Sequence, residues 1–277
     1  VAGKLLCFGD LCVDVVGRVD HSETGADITL DHLSVRPGGG ALNCAVAAAA
    51  EGVAVEVMGV VGEDLFGDMV LSHLTKCGVG TQFVRRMSGR TGTVISLVDA
   101  AGQTRFYSYR GVNAEAYGRL PALPDYLCVS GYSFQDGESR RTAQAMLASG
   151  VPCALDPSFQ FARDFCAQRL AAEFLLPNLE EARLMSGRSS PEECAAALRQ
   201  LGVRTVVIKL GADGCYVQSD GLAELVRGEA VSAVDTTGAG DAFAGAFLAC
   251  ILKGHGLVEA ARRANACAGK VVSTPRS

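Results

Sequence analysis

Val234-Asp235-Thr236-Thr237-Gly238-Ala239-Gly240-Asp241-Ala242-Phe243 runs directly into an apolar stretch, Ala244 to Leu252. Small residues at Gly238, Ala239 and Gly240 leave backbone N–H groups uncovered at a predicted helix start. Those groups and the helix dipole together make an anion site suited to phosphate. Asp241 falls in the first helical turn, where the positive helix end favours a negative charge. A carboxylate beside a phosphate cradle is what a hydroxyl needs in order to lose a proton as it attacks phosphorus. The plainer alternative is a glycine-containing helix start with Thr or Asp caps. The full decapeptide, placed before a long apolar helix, favours the phosphate reading. No GxxxxGK[ST] run occurs, and Phe243 takes the third glycine position of a GxGxxG, so a Walker-type loop and a dinucleotide site both lack support.

A second glycine cluster, Pro37-Gly38-Gly39-Gly40-Ala41-Leu42-Asn43-Cys44-Ala45, also precedes a predicted helix. Consecutive glycines let a ligand approach the backbone closely. Asn43 is the polar residue of an Ala-rich helix; it reads either as a satisfied buried amide or as a hydroxyl-recognising side chain. Asp14 is a similar candidate, because open α/β sheets place ligands beyond the C-terminal ends of their strands.

Around these clusters, apolar strand-like runs alternate with helical windows. Strands are expected at Lys4–Gly9, Ala54–Val61, Tyr126–Ser130, Val151–Leu155, Glu173–Leu176 and Thr205–Leu210. Helices are expected at Ala41–Glu51, Leu65–Cys77, Glu138–Ala148, Arg163–Ala171, Asn178–Met185 and Pro191–Leu201. This rhythm predicts a parallel sheet covered on both faces. Val15–Arg36 has no convincing helix, and Thr91–Asp99 and Thr104–Arg110 are alternating runs joined by Ala100-Ala101-Gly102-Gln103, a hairpin signal. Four such strands predict a small antiparallel appendage within one folding unit. On its one strand, Arg105, Tyr107 and Tyr109 share a face by alternation.

The 277 residues are 49% hydrophobic, which supports a sizeable core and excludes disorder. A net charge of −5 gives no basic field for nucleic acid or anionic membrane. No apolar run reaches the ~18 residues of a membrane span, and the opening run to Gly9 reads as a strand rather than a signal peptide. The 11 cysteines include no CxxC pair and do not cluster with the four histidines, so they read as small buried hydrophobes of a cytoplasmic protein.

The two glycine clusters resemble the two signatures of the PfkB (ribokinase-like) carbohydrate kinase family. Between them Gly62-Glu63-Asp64 with Gly67, Leu155-Asp156-Pro157, Asn178-Leu179-Glu180-Glu181, and Lys209-Leu210-Gly211 with Gly214 fall in that family's order, as does Ala264-Asn265-Ala266 after them. The resemblance covers essentially the whole chain, residues 1–277. It implies a three-layer α/β/α core with a mostly parallel sheet and a small antiparallel β lid formed by about 15–36 and 91–111. It implies transfer of the γ-phosphoryl of ATP to a hydroxymethyl group of a small sugar, with Asp241 as general base and Gly238, Ala239 and Gly240 as anion hole. Asp14, Gly39 and Asn43 would contact sugar hydroxyls, with Arg105 on the lid as a further candidate. Asn178, Glu181, Lys209, Gly211, Gly214 and Asn265 would lie near the nucleotide, with Glu181 holding Mg²⁺ through water. Asp235 and Thr237 match positions that bind a monovalent cation such as K⁺. Paired lids imply a homodimer. Alternatives within reach of the same residues are a nucleoside kinase and a non-catalytic sugar-binding regulator.

Overall fold

The computed structural model describes residues 3–19, 29–30, 32–99, 104–115, 124–135, 137–166, 169–229, 231 and 235–274. Val234, the turn 100–103 and the stretch 20–28 between the first two expected lid strands lie outside the described residues. In chain order the elements are β1 Leu5–Phe8, β2 Cys12–Val19, β3 His32–Gly38, α1 Gly40–Ala50, β4 Val55–Gly62, α2 Leu65–Lys76, β5 Gly80–Met87, β6 Gly92–Asp99 and β7 Thr104–Tyr109. There follow β8 Tyr126–Ser130, α3 Gly137–Leu147, β9 Cys153–Asp156, α4 Phe159–Arg163, β10 Phe174–Leu175, α5 Leu179–Ser186, α6 Pro191–Arg199, β11 Thr205–Lys209, β12 Cys215–Ser219, β13 Leu222–Val226, α7 Ala239–Leu252 and α8 Leu257–Ser273.

The large sheet runs β13-β12-β11-β10-β9-β8-β1-β4-β5. Its strands pair in parallel except where β12 joins β11 and β13. Two apolar clusters cover its faces. One gathers residues of α1, α2, α7 and α8, the other residues of α3 to α6. This is the three-layer arrangement that buried, near-continuous Val/Leu strands require. β1 lies between β4 and β8, so the strand order reverses there. Crevices at such reversals are where ligands bind in open α/β sheets.

A second sheet has the order β3-β2-β6-β7. β2–β3 and β6–β7 pair antiparallel, whereas the central pair β2–β6 is parallel. The strands expected at the appendage are therefore present, with one parallel junction inside a mainly antiparallel sheet. The helix expected at Arg163–Ala171 is displaced: α4 ends at Arg163. Ser158 fixes its start by accepting from Phe161 N, a local cap that outweighs the apolar spacing further on.

α7 is buried almost all round, as a central helix must be. It packs on α1 through Gly245, where a Cβ would overlap the Cys44 carbonyl and stand 3.1 Å from Ala47 Cβ. Gly245→Val is expected to destabilise the fold by about 1–3 kcal/mol through overpacking. Urea unfolding measures this, and an unchanged midpoint would show that the two helices can separate freely.

Asp64 caps α2 by accepting from Gly67 N at 2.9 Å, and it also accepts from Thr91 N at 3.0 Å and Thr91 Oγ1 at 2.6 Å. Burial opposes its charge, but the Thr91 and Gly67 donors lower its pKa below 3.8. A depressed carboxylate contributes stability above its unfolded pKa and loses it as pH falls through the folded value. Asp64→Ala is expected to cost about 1–2 kcal/mol at pH 7. The gap to wild type should close as pH drops below 4, which paired denaturation curves at pH 7 and pH 3 test.

Candidate active site

Two helix starts meet above the C-terminal edge of the large sheet. At the first, Gly39 is the N-cap of α1 with φ 103°, a conformation that glycine adopts readily and other residues do not. A Cβ there would overlap the Asp10 carbonyl. At the second, Gly238 caps α7 with φ 71°, and its carbonyl accepts from Ala242 N at 3.0 Å. No side chain caps α7, so the amides at its first turn are left to other partners.

The two starts are joined by one hydrogen bond. Asn43 Nδ2, one turn into α1, donates to Asp241 Oδ2 at 3.0 Å. Gly40 faces the other carboxylate oxygen: a Cβ on it would lie 3.5 Å from Asp241 Oδ1 and 2.9 Å from Ser130 Oγ. The missing side chain leaves room beside the Asp241 carboxylate. Asn43 is thus a partner of Asp241, a link across 198 residues.

Beneath α7, Lys209 Nζ lies 2.6 Å from Asp156 Oδ1 and donates to Gly240 O at 3.5 Å. Both side chains come from strand ends, β11 and β9, and are only 14% and 10% exposed. Burial opposes the Lys209 charge, yet Asp156, Glu181 and Asp241 together raise its pKa. Burial lifts the Asp156 pKa well above the carboxylate range against the pull of Lys209. A cation is thereby fixed against the backbone of the Gly238–Gly240 turn, where it reinforces the pull of the amides on an anion.

Asn178 and Glu181 meet at the start of one helix. Asn178 is the N-cap of α5 and Glu181 its third residue, and each side chain accepts from the other's backbone N–H, at 2.8 and 2.9 Å. The Asn-x-x-Glu spacing is a capping box. Glu181 is buried, and burial raises its pKa while Lys209 pulls it down. Asn265 turns its amide to the Val226 and Arg227 carbonyls, tying α8 to the end of β13. Gly211 and Gly214 form the turn between β11 and β12, and Gly214 packs against Val226 and Gly228 backbone.

On the smaller sheet Asp14 is buried on β2, beside Gly38, where a Cβ would strike its carboxylate. Register places Asp14 opposite Arg36 and Val94. Arg105 pairs with Leu97, and Leu97 with Gly17, three residues from Asp14. Alternation therefore turns Arg105, Tyr107 and Tyr109 to the face away from Asp14, and the structure does not bring Arg105 to the site.

Asp235 is held on both oxygens. Oδ2 accepts from Arg36 NH2 at 2.6 Å and Oδ1 from Thr237 N at 2.8 Å. Burial opposes its charge, but these donors lower its pKa. The guanidinium supplies the positive charge that a monovalent ion would bring, so the residues present do not fit such an ion at Asp235.

Sequence reasoning missed Arg36, Asp156 and Ser130 as site groups. Arg36 immediately precedes the Pro37–Gly40 run, and Asp156 and Ser130 each end an apolar strand. A polar residue at a strand's C-terminal end was the available signal. Asp10, bound by Arg110 at 2.8 Å, obeys the same rule just past β1.

Comparison with known proteins assigns this geometry to a class. The pfkB family carbohydrate kinase model matches residues 2–277. An ATP-dependent ribose-1-phosphate kinase of Halopiger xanaduensis is 32% identical, covering 95% of this chain and 90% of its own. A ribokinase of Haemophilus influenzae is 28% identical over 95% of this chain and 90% of its own. The crystal structure of a ribokinase from Thermotoga maritima superposes with a TM-score of 0.84 at 26% identity, covering 99% of this chain and 94% of that one. The fold is ribokinase-like, and the chain is a carbohydrate kinase. It belongs to the pfkB family. Among the described residues no helix is long and apolar enough to cross a membrane.

Proposed function

We propose that this kinase transfers the γ-phosphoryl group of ATP to a hydroxymethyl group of a small sugar of the ribose, fructose or ketodeoxygluconate kind. The observation that carries the reading is the junction of the two helix starts, with Asp241 Oδ2 3.0 Å from Asn43 Nδ2. Asp241 acts as general base on the sugar hydroxyl. The amides of Gly238, Ala239 and Gly240 hold the charge that develops on the transferred group, and Lys209 strengthens them from below. Asp14, Gly39 and Asn43 take the remaining sugar hydroxyls. The nucleotide lies over Lys209, Gly211 and Gly214. Asn178 and Asn265 shape that side of the site through the backbone contacts they make.

Among the described residues no three side chains are grouped to hold a metal. Magnesium binds through phosphate oxygens, water and one or two carboxylates. Glu181 would approach it through water, and the ion would neutralise phosphate charge during transfer. Asp235, engaged by Arg36, takes no part in binding potassium.

The whole chain works as one unit, with the smaller sheet, about 15–36 and 91–111, as a lid that excludes water from the transferred group. Its outer face exposes Leu33, Val35, Ile95, Tyr107 and Tyr109. An apolar face on an open sheet favours a second copy of the chain, giving a homodimer through paired lids. The free cysteines fit a reducing cytoplasm.

The relatives named ribokinase and ribose-1-phosphate kinase support a pentose-like acceptor. The test is ADP release with ATP and Mg²⁺ from a panel of ribose, fructose, ketodeoxygluconate, fructose phosphate and adenosine. Turnover on one of the first three is expected. Fastest turnover on adenosine would replace the reading by a nucleoside kinase, and thermal stabilisation by a sugar with no ADP release by a non-catalytic binder.

A further inference from the structure

Three thiols that the proposed chemistry does not use form the floor beneath Asp241. Cys7 of β1 and Cys128 of β8 are register partners on adjacent parallel strands, so their side chains share one face. α1 lays Cys44 over that face, with Sγ 3.5 Å from Cys128 Sγ and 3.7 Å from Cys7 Sγ. The three line the same small recess, of about 10 Å³, as Ser130, Asp156 and Asp241. That is room for about one molecule of water or peroxide size, which on passing the carboxylate would meet sulfur. Hydrogen bonds from Cys44 and Cys7, helped by Lys209, lower the Cys128 pKa well below that of an ordinary thiol against the effect of burial. Cys44 shifts the other way because of its hydrogen bond to Cys128 and its burial. The cluster thus sets two sulfurs 3.5 Å apart, near enough for oxidation to join them with a small movement.

We propose that Cys44 and Cys128 are a redox site, joined in a disulfide when hydrogen peroxide enters the recess, and that the bond arrests turnover by displacing α1. The Cys128 sulfur attacks one peroxide oxygen, the O–O bond breaks, and hydroxide leaves to take up the Cys128 proton as water. The Cys128 sulfenic acid is then attacked by the Cys44 sulfur. The S–O bond breaks, and hydroxide departs with the Cys44 proton as a second water. Two thiols lose two electrons and one peroxide gains them. A disulfide holds its sulfurs about 2.05 Å apart, so closure draws them roughly 1.5 Å nearer than they now stand. Cys44 adjoins Asn43, the partner of Asp241. A shift of about 1 Å at a positioned group costs about 10²-fold in rate.

The cross-link stands independently of the kinase reading, while its effect on turnover rests on that reading. The experiment treats the whole chain with hydrogen peroxide, blocks free thiols, and maps peptides by mass spectrometry alongside ADP release. A Cys44–Cys128 peptide is expected, with at least a tenfold fall in kcat that dithiothreitol reverses. Cys44→Ala should keep its turnover before peroxide and resist the loss. If that variant does not fold, the wild-type map alone decides. Inactivation with Cys44 and Cys128 still reduced, a Cys7–Cys44 link in their place, or a full cross-link with unchanged turnover would each overturn the proposal. A chain that phosphorylates no sugar before peroxide refutes the kinase reading instead, and the map still decides the disulfide.

Discussion

Asp241→Asn is expected to lower kcat by about 10²–10⁴-fold, the usual worth of a positioned general base. That corresponds to about 3–5 kcal/mol of transition-state stabilisation, at 1.36 kcal/mol per tenfold. Asparagine keeps the size of the side chain and retains an oxygen for Asn43 Nδ2, now 3.0 Å from Asp241 Oδ2. The helix start and the fold should therefore survive, with an unfolding midpoint close to wild type. KM for the sugar should change little, because the lost interaction is made in the transition state. ADP release under saturating ATP and sugar is the measurement. Near-wild-type turnover would remove Asp241 as the base and leave only the backbone amides and Lys209 to account for transfer.

Lys209→Met is expected to affect stability most. The substitution leaves Asp156, 2.6 Å away and 10% exposed, buried with no cation beside it. Breaking such a pair costs about 3–5 kcal/mol. The sign of its pH dependence follows from Asp156. Burial already raises its folded pKa above the unfolded value, and loss of Lys209 raises it further. A raised carboxylate favours folding fully below its unfolded pKa and loses that contribution as pH rises through the folded value. The variant should therefore be least stable relative to wild type at neutral pH and recover as the solution is acidified toward pH 4. Lys209→Met combined with Asp156→Leu should regain most of the stability, since an apolar pair of similar volume avoids the cost of burying charge. Turnover should stay depressed in both, because the charge behind the Gly238–Gly240 amides is gone. Equal stability of wild type and the single variant at pH 7 would show that water reaches Asp156 and screens it.

The sequence made the large sheet legible because its strands are uninterrupted apolar runs and its helices start at recognisable glycine or cap residues. β1, β8 and α1 lie within a residue or two of their expected bounds. What it concealed was of two kinds. β5, Gly80–Met87, is a half-exposed edge strand carrying Arg85 and Arg86, so no apolar run marked it, and the strands of the hairpin β12–β13 went unread. The site showed the same division. Gly238–Asp241 and Gly39–Asn43 were legible because helix starts are local. Arg36–Asp235 and Lys209–Asp156 were not, since they join residues 199 and 53 positions apart. The Asn178–Glu181 spacing was visible, but it serves two readings, and only the reciprocal backbone contacts identify the cap.

The direct contact of Gly245 with the Cys44 carbonyl fixes α7 against α1, and with them Asp241 against Asn43. The four-stranded sheet is tied to this unit by the Arg36–Asp235 pair at 2.6 Å, and β2 and β3 also pack on α2. On the proposed reading the groups that move the phosphoryl lie in this unit, and the acceptor is shared between Asp14 of the small sheet and Gly39 and Asn43 at the start of α1. β6 and β7, on the side of the sheet away from Arg36, could be lengthened to admit a different acceptor while the Arg36–Asp235 pair stays in place. In this architecture a change of diet would be written partly in the cover and partly at the start of α1.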